Sequence, residues 1–323
     1  MMGAITHTLV IPVYRNEAFL PELVRAVEGI AANVAGSMEA VFVIDGSPDR
    51  SEEWLLTHLD SCAVPAQLVA LSRNFGSFTA IRVGLEQARG EIIAVMAADL
   101  QEPPELVSDF FRALGSGRHD VAVGTRASRD DPLAGKVASG LFWRIYRALV
   151  QPEMPAAGID MFAVTRRARD ALLQLEESHS SLVAQLLWIG FDRVEVPYAR
   201  RARTQGASGW TLRKKLRYLF DSIFSFTDIP ITILTLIGFA GTFVFLVMGV
   251  VLLGLRLSGV IEVAGYTAIM VAILFSASLI LLGLGIVGNY VWRTYENTKH
   301  RPLGIIRAQR DFPGTAASPD AHG

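Results

Sequence analysis

The sequence holds a single cysteine, Cys62, in 323 residues. No internal disulfide is therefore possible, and no multi-cysteine zinc site exists. The six histidines are scattered, with no H-x-x-x-H or H-E-x-x-H pair, which argues against a histidine-based metal centre. Net charge is lacking too. Thirty Lys and Arg against 31 Asp and Glu leave −1, so no global field points to nucleic acid. There is no G-x-x-x-x-G-K-[ST] phosphate loop. No G-x-G-x-x-G follows the first strand pattern, where Pro12-Val13-Tyr14 cannot make the tight glycine turn of a dinucleotide site. No G-x-S-x-G elbow supplies a hydrolase nucleophile. No basic stretch precedes the first apolar run, so the N-terminus reads as a core strand rather than a signal peptide. The N-terminal domain is then expected to stay in the cytoplasm.

What is present in excess is apolar sequence. Hydrophobic residues make up 51%, above the ~45–50% usual for a soluble chain. Two runs in the second half explain it, 229–255 and 263–292, neither containing a charged residue. Each exceeds the ~20 residues needed to cross a bilayer. Tyr266 and the Tyr290/Trp292 pair sit where interfacial aromatics belong. The connector "RLSGVIE" carries one basic and one acidic residue, whereas Arg200, Arg201, Arg203, Arg213, Lys214, Lys215 and Arg217 precede the first run and Arg293, Lys299, Arg301, Arg307 and Arg310 follow the second. The positive-inside rule then predicts a multi-pass inner-membrane protein with its catalytic domain and both termini cytoplasmic. The expected division is a soluble domain at 1–207, an amphipathic helix at 208–228, spans near 231–255 and 266–291 within 229–292, and a basic tail at 293–323. The amphipathic segment suits the headgroup plane of the bilayer; a plain core helix is the alternative.

In the soluble part, apolar runs at 7–13, 39–44, 66–72 and 90–97 alternate with helical periodicity. This order predicts an α/β domain with a Rossmann-like, mainly parallel sheet. Ligands in such sheets sit beyond the carboxyl ends of the strands. Four polar clusters fall there: Tyr14/Asn16/Glu17, Asp45/Ser47/Asp49, Arg73/Asn74 and Asp99/Gln101. Carboxylates with further oxygens suit a hard cation and a diphosphate.

The segments "VIPVYRNE", "VIDGSPDRS", "LSRNFGSFTAIRVGLEQARGEIIAVMAADLQEPPEL" and "RPLGIIR" resemble the family 2 glycosyltransferases acting on polyprenyl phosphates. The similarity is to the dolichol-phosphate mannose synthase and bacterial undecaprenyl-phosphate branch, over nearly the whole chain. It implies a GT-A fold, a UDP-, GDP- or dTDP-linked sugar donor and a polyprenyl phosphate acceptor. By motif match Pro12, Tyr14, Glu17 and Asp45 would hold the nucleotide, with Asn74 and Asp99 completing the donor site. The family strand end Asp-Ala-Asp-Leu-Gln reads Ala97-Ala98-Asp99-Leu100-Gln101 here. The resemblance assigns metal contact mainly to the second Asp and the Gln, so Asp99 and Gln101 would hold Mg²⁺ or Mn²⁺. A role for Asp99 as a mere helix cap stays open. Ile44, where many relatives carry a second Asp, is expected to point into the core.

A phosphate acceptor is already anionic near neutral pH, so the reaction needs cations that position it rather than a strong base. The resemblance places the lipid phosphate near Arg126, Lys136 and Ser139, and makes 198–210, with Arg201 and Arg203, a mobile acceptor loop. It makes Asp160 an acid near the sugar, a second family acid being replaced by Ala157; a structural turn role for Asp160 is the alternative. Catalysis is thus expected of Asp99, Asp160 and Arg126. A lipid bilayer is an expected partner, as are a flippase and a second copy of the chain, since Gly238, Gly241, Gly249, Gly283, Gly285 and Gly288 permit close helix packing. The competing readings are a catalytically impaired nucleotide-sugar-binding subunit that recruits a flippase or polymerase, and a processive polysaccharide synthase, whose Q-x-x-R-W helix is absent.

Overall fold

The computed structural model describes residues 5–126, 140, 143–144, 146–148, 150–155, 158–177, 180–199, 212–227, 229–258 and 265–315. The chain forms two compact units, Met1–Thr211 with Arg301–Gly323, and Leu212–His300.

The first unit is built on β1 (His7–Val13), β2 (Met38–Ile44), β3 (Ala66–Leu71), β4 (Ile92–Val95), β5 (Val121–Arg126), β6 (Phe162–Thr165), β7 (Arg193–Tyr198) and β8 (Ile306–Phe312). Among the described residues these make one eight-stranded sheet in the order β7-β5-β6-β4-β1-β2-β3-β8. All strands run the same way except β6 and β8. Between them lie α1 (Leu20–Ala32), α2 (Ser51–His58), α3 (Ser77–Gln87), α4 (Glu105–Gly115), α5 (Arg166–Leu173) and α6 (Leu182–Trp188). The β-α-β alternation expected from the sequence is the one observed.

Burial explains the elements. β2 and β3 are buried along their whole length, as strands covered on both faces must be. Ile44 is 1% exposed and belongs to the core, as expected. α1 buries Leu20, Leu23, Val27 and Ile30, and α4 buries Leu106, Val107, Phe110, Phe111 and Leu114; both are single apolar stripes of helical period. α3 lies so close to the sheet that a Cβ on Gly84 would stand 2.2 Å from Val10 Cγ1. At the amino edge the buried Glu39 carboxylate accepts Thr8 Oγ1 (2.9 Å), Gln67 Nε2 (3.1 Å) and the Arg89 N–H (2.8 Å). Those bonds replace the water lost on burial and tie β1, β2, β3 and the turn before β4 together.

The second unit holds α7 (Leu212–Phe226), α8 (Ile229–Leu257) and α9 (Tyr266–Thr298). α8 and α9 expose large apolar side chains, among them Phe239, Phe243, Leu281 and Leu284. Among the described residues, Phe275–Thr298 is long and apolar enough to cross a membrane, and Leu219–Phe226 with Ile229–Gly241 would form a second span only with a 74° bend inside it. Arg293 on α9 pairs with Asp221 on α7 at 2.8 Å and donates to Ser225 Oγ at 2.9 Å. Of the six small residues, Gly283 faces α8, where its Cβ would stand 3.4 Å from Leu234; Gly238, Gly241, Gly285 and Gly288 have nothing within 4 Å.

The C-terminal stretch differs from the expected tail. α9 continues to Thr298, and β8 returns to pair antiparallel with β3. Its sequence gave no sign of this, because six of its seven residues are exposed and only Phe312 is buried. The reason is the backbone: the outer edge of β3 offers unpaired N–H and C=O groups, which β8 satisfies. Two of the tail's cations serve the same end, Arg307 pairing with Glu52 at 2.6 Å and Arg310 with Asp60 at 3.3 Å. Phe312→Ala is therefore expected to cost about 3–5 kcal/mol and to lower Tm by roughly 6–20 °C. Thermal unfolding of the detergent-solubilised chain measures this; an unchanged Tm would mean that the segment is a free end.

Candidate active site

The strands β4, β1, β2 and β3 stand side by side, and the chain leaves β1 toward β2 on one flank while β4 lies on the other. That reversal is the topological switch point, where open α/β sheets form a crevice at the carboxyl ends. Two of the three non-glycine residues with positive φ among the described residues, Arg15 (56°) and Leu100 (52°), occupy the turns after β1 and β4. Backbone strain of this kind costs of order 1–3 kcal/mol and gathers at functional sites.

On the β1–β2–β3 side the loops are stitched together by short polar side chains. Arg15 N–H donates to Ser47 Oγ at 2.7 Å, and Ser47 Oγ donates to Asp49 Oδ1 at 2.6 Å. Asp49 also accepts the Glu17 N–H (3.1 Å) and the Ser51 N–H (3.3 Å), while Glu17 Oε2 accepts the Arg50 N–H at 3.1 Å. Tyr14 is 41% exposed at the end of Pro12-Val13, with the Arg15 guanidinium 5.4 Å from its ring centre. Burial pushes the Asp49 carboxyl up, but the Ser47 hydroxyl, Ser51 and the Glu17 N–H outweigh it and hold it below its ordinary value.

Asp45 is 2% exposed. Its Oδ1 accepts the Phe75 N–H at 2.7 Å and its Oδ2 the Gly76 N–H at 2.9 Å, while Asn74 Nδ2 donates to the Asp45 carbonyl at 3.1 Å. Burial raises its carboxyl above the usual range, partly offset by those two N–H groups and by Arg73. Asp45 and Asn74 thus shape the loop after β3, each spending hydrogen bonds on the backbone. Gly46 makes the approach possible: its φ is +58°, and a Cβ there would lie 2.4 Å from both Arg73 C and Asn74 N.

After β4, Ala98 and Met96 are buried and Asp99 emerges half-buried. Gln101 Nε2 donates to Asp99 Oδ2, and the Gln101 N–H reaches Asp99 Oδ1 at 3.4 Å. α4 starts at Glu105 with no side-chain cap, so the capping alternative for Asp99 is not the one the fold uses. Among the described residues no three His, Cys, Asp or Glu side chains gather. The Asp99 carboxylate fits Mg²⁺ or a similar hard cation, which binds through one or two carboxylates and fills its shell from phosphates and water; Gln101 turns its NH2 group to Asp99 here, so its amide would have to rotate to offer the oxygen.

Farther along the same edge, Asp160 sits just before β6, Arg126 ends β5 and Tyr198 ends β7. Arg126 Nε and Nη2 both reach Asp160 Oδ2, at 2.6 and 2.5 Å, and Tyr198 Oη donates to that oxygen at 2.9 Å. The Arg126 side chain is the better screened of the two, 14% exposed against 30% for that of Asp160. Arg126 and Asp160, expected separately on acceptor and sugar, are thus partners of each other. Tyr198, expected without a role of its own at the start of the mobile loop 198–210, is instead the last residue of β7, and the β5–β7 register that sets it beside Arg126 is invisible in the sequence. Lys136, Ser139, Ala157, Arg201 and Arg203 lie outside the described residues.

The mostly parallel eight-stranded sheet has the GT-A architecture expected from the sequence. Residues 8–170 match the Glycosyl transferase family 2 model, and the chain belongs to that family. It is 30% identical to the uncharacterized glycosyltransferase YkcC of Bacillus subtilis, over 100% of this chain and 99% of that protein. It is 34% identical to an undecaprenyl-phosphate 4-deoxy-4-formamido-L-arabinose transferase of Pseudomonas paraeruginosa, over 96% of this chain and 92% of that one. Among solved structures, glucosyl-3-phosphoglycerate synthase from Mycobacterium tuberculosis is similar with a TM-score of 0.48 and 16% identity, over 72% of this chain and 78% of that one.

The Asp49 cluster generates a pH test. Because its carboxyl is lower in the folded state, its contribution to stability is full above the unfolded value of about 3.9 and is lost as pH falls through the lowered one. Asp49→Asn is expected to lower Tm at pH 7, with the gap to the parent closing on acidification below the ordinary carboxylate range. A gap that persists unchanged in acid would show that the charge is not what stitches the loops.

Proposed function

We propose that the chain is a membrane-bound, metal-dependent hexosyltransferase that moves a sugar from a nucleotide diphosphate sugar to a polyprenyl phosphate, for cell-envelope glycan assembly or modification. The observation that carries the reading is the meeting of the Asp99/Gln101 loop and the Arg126–Asp160 pair on one sheet edge, around strands β4, β6 and β5. Family membership and the undecaprenyl-phosphate transferases among its relatives support it. The exposed apolar faces of α8 and α9 support placing the reaction beside a bilayer.

In the proposed reaction an acceptor phosphate oxygen forms a bond to the anomeric carbon. The bond from that carbon to the diphosphate breaks, and the nucleoside diphosphate leaves with the bonding pair. Tyr14, Glu17 and the loop shaped by Asp45 and Asn74 bind the nucleotide. Asp99 and Gln101 would hold Mg²⁺ or Mn²⁺, which when bound supplies charge against the leaving diphosphate. Arg126 brings a positive charge for the acceptor phosphate, and Asp160 orients that guanidinium. Positioning and charge stabilisation are what a reaction with an anionic nucleophile requires.

The decisive assay combines the purified chain, undecaprenyl phosphate and a panel of labelled nucleotide sugars. One labelled lipid product is expected, and none from any donor would favour the nucleotide-sugar-binding subunit. Asp99→Asn keeps the size of the side chain and is expected to abolish turnover with the fold intact; its full activity, or parent activity in excess chelator, would remove the metal from this loop.

The membrane arrangement proposed is two spans with both flanks cytoplasmic, motivated by the basic flanks and the nearly neutral connector. A reporter active only outside the cytoplasm is expected to work when inserted at Ser258 and to fail when fused after Gly323; the reverse pattern would overturn the hairpin.

A further inference from the structure

The segment "RPLGIIR", 301–307, leads from the end of α9 into β8, and at the carboxyl edge of the sheet it reaches both loops of the nucleotide side. The Ile305 carbonyl accepts the Ser72 N–H at 2.9 Å, at the root of the loop after β3. Gly304 lies against α3, into which that loop runs: a Cβ there would stand 2.9 Å from Val83 Cγ2 and 3.0 Å from Thr79 Cγ2. Between these two holds come Phe75 and Gly76, whose N–H groups bind Asp45. One step on, the ladder slips. Ala70 pairs with Ala308 but Leu71 with Ile306, which leaves Arg307 as the extra residue of a bulge. A bulge re-aims the side chain it carries, and Arg307 Nη2 meets both carboxylate oxygens of Glu52, at 2.7 and 2.6 Å. Glu52 follows Ser51, whose N–H donates to Asp49 in the loop after β2. Covering the edge of β3 requires only the backbone ladder. The Gly304 and Arg307 contacts fall instead on α3 and α2, the helices into which the two nucleotide loops run.

We propose, on the nucleotide-binding reading above, that residues 304–307 are a strap that positions those loops, with Gly304 and Arg307 as positioning residues for the nucleoside diphosphate. The strap acts through the Asp45 and Asp49 loops: loops held in place before a ligand arrives lose less freedom when it binds. Residues 299–303 alone separate the strap from Thr298, the last residue of α9, so the chain ties the nucleotide loops to the long apolar helix.

The test uses the full-length chain in detergent. Calorimetry in Mg²⁺ buffer gives the Kd of UDP, GDP and dTDP, and the nucleotide that binds the parent is carried through the variants. Gly304→Ala drives a methyl into Thr79 and Val83 and is expected to raise that Kd by about tenfold. In a Thr79→Ser, Val83→Ala background, which removes the opposing methyls, the same change should cost less than about twofold. Phe312→Ala is the stability control. It loosens the far end of β8 and lowers Tm, yet should leave the Kd within about twofold of the parent. Arg307→Gln and Glu52→Gln, on a partly exposed pair, should each raise the Kd by about threefold, and the double variant no further. A parent-like Kd in Gly304→Ala, a tenfold loss that persists in the Thr79→Ser, Val83→Ala background, or equal weakening by Phe312→Ala would each overturn the strap while leaving nucleotide binding standing. If Gly304→Ala does not fold, the Arg307 and Glu52 variants decide alone, and parent-like affinity in both overturns the strap. Binding of none of the three nucleotides to the parent would overturn the nucleotide reading as well.

Discussion

A buried carboxylate has to replace the water it loses, and at Asp45 that requirement organises the nucleotide side of the site. The side chain is 2% exposed and spends its two oxygens on the Phe75 and Gly76 N–H groups. Those bonds draw the loop after β3 against the end of β2. Contact that close leaves no room for a Cβ at residue 46, and Gly46 supplies its absence together with a left-handed backbone. The loops after β1 and β2 are then joined through Ser47, Asp49 and Glu17. The crevice at the switch point is therefore built of backbone held by small acids, with Tyr14 left exposed above it.

The same economy governs the other half. A guanidinium mostly withdrawn from solvent needs a partner; Arg126 finds it in Asp160, with Tyr198 as third member. This changes how each residue is to be understood. Arg126 is a guanidinium whose orientation is set by a neighbour, and Asp160 is a carboxylate with one oxygen committed. A loop acid and a strand-end cation that look like independent contributors along the chain are one electrostatic object in space.

The return of the chain after α9 has a comparable logic. A parallel sheet ending at β3 would present an open edge, and open edges invite pairing with other chains. β8 closes it from within, with Phe312 reaching the core and Gln309 Nε2 donating to Gln67 Oε1 at 3.2 Å. Gln67 in turn donates to Glu39, so the last strand joins the polar network beneath the sheet. Cations that the positive-inside rule counts as a membrane flank, Arg307 and Arg310, are in ion pairs with Glu52 and Asp60.

Much of this architecture was legible in the sequence. Apolar runs of strand length alternating with helical stripes gave β1 to β4 and their helices, since burial on both faces leaves a continuous apolar signature. The charge-free runs gave the long helices for the same reason: composition alone reports what a segment can be surrounded by. The ordered motifs placed Tyr14, Asp45, Asp99 and Arg126 at strand ends, and the strands carry all four to one edge. What the sequence did not determine was pairing. β8 is hidden because backbone hydrogen bonds leave no mark on side-chain pattern when six of seven residues face solvent. The Arg126–Asp160–Tyr198 cluster is hidden because its members come from β5, the lead into β6 and the end of β7, and only the register of three strands brings them within 3 Å. Local chemistry is written residue by residue; which charges neutralise one another is decided by the sheet.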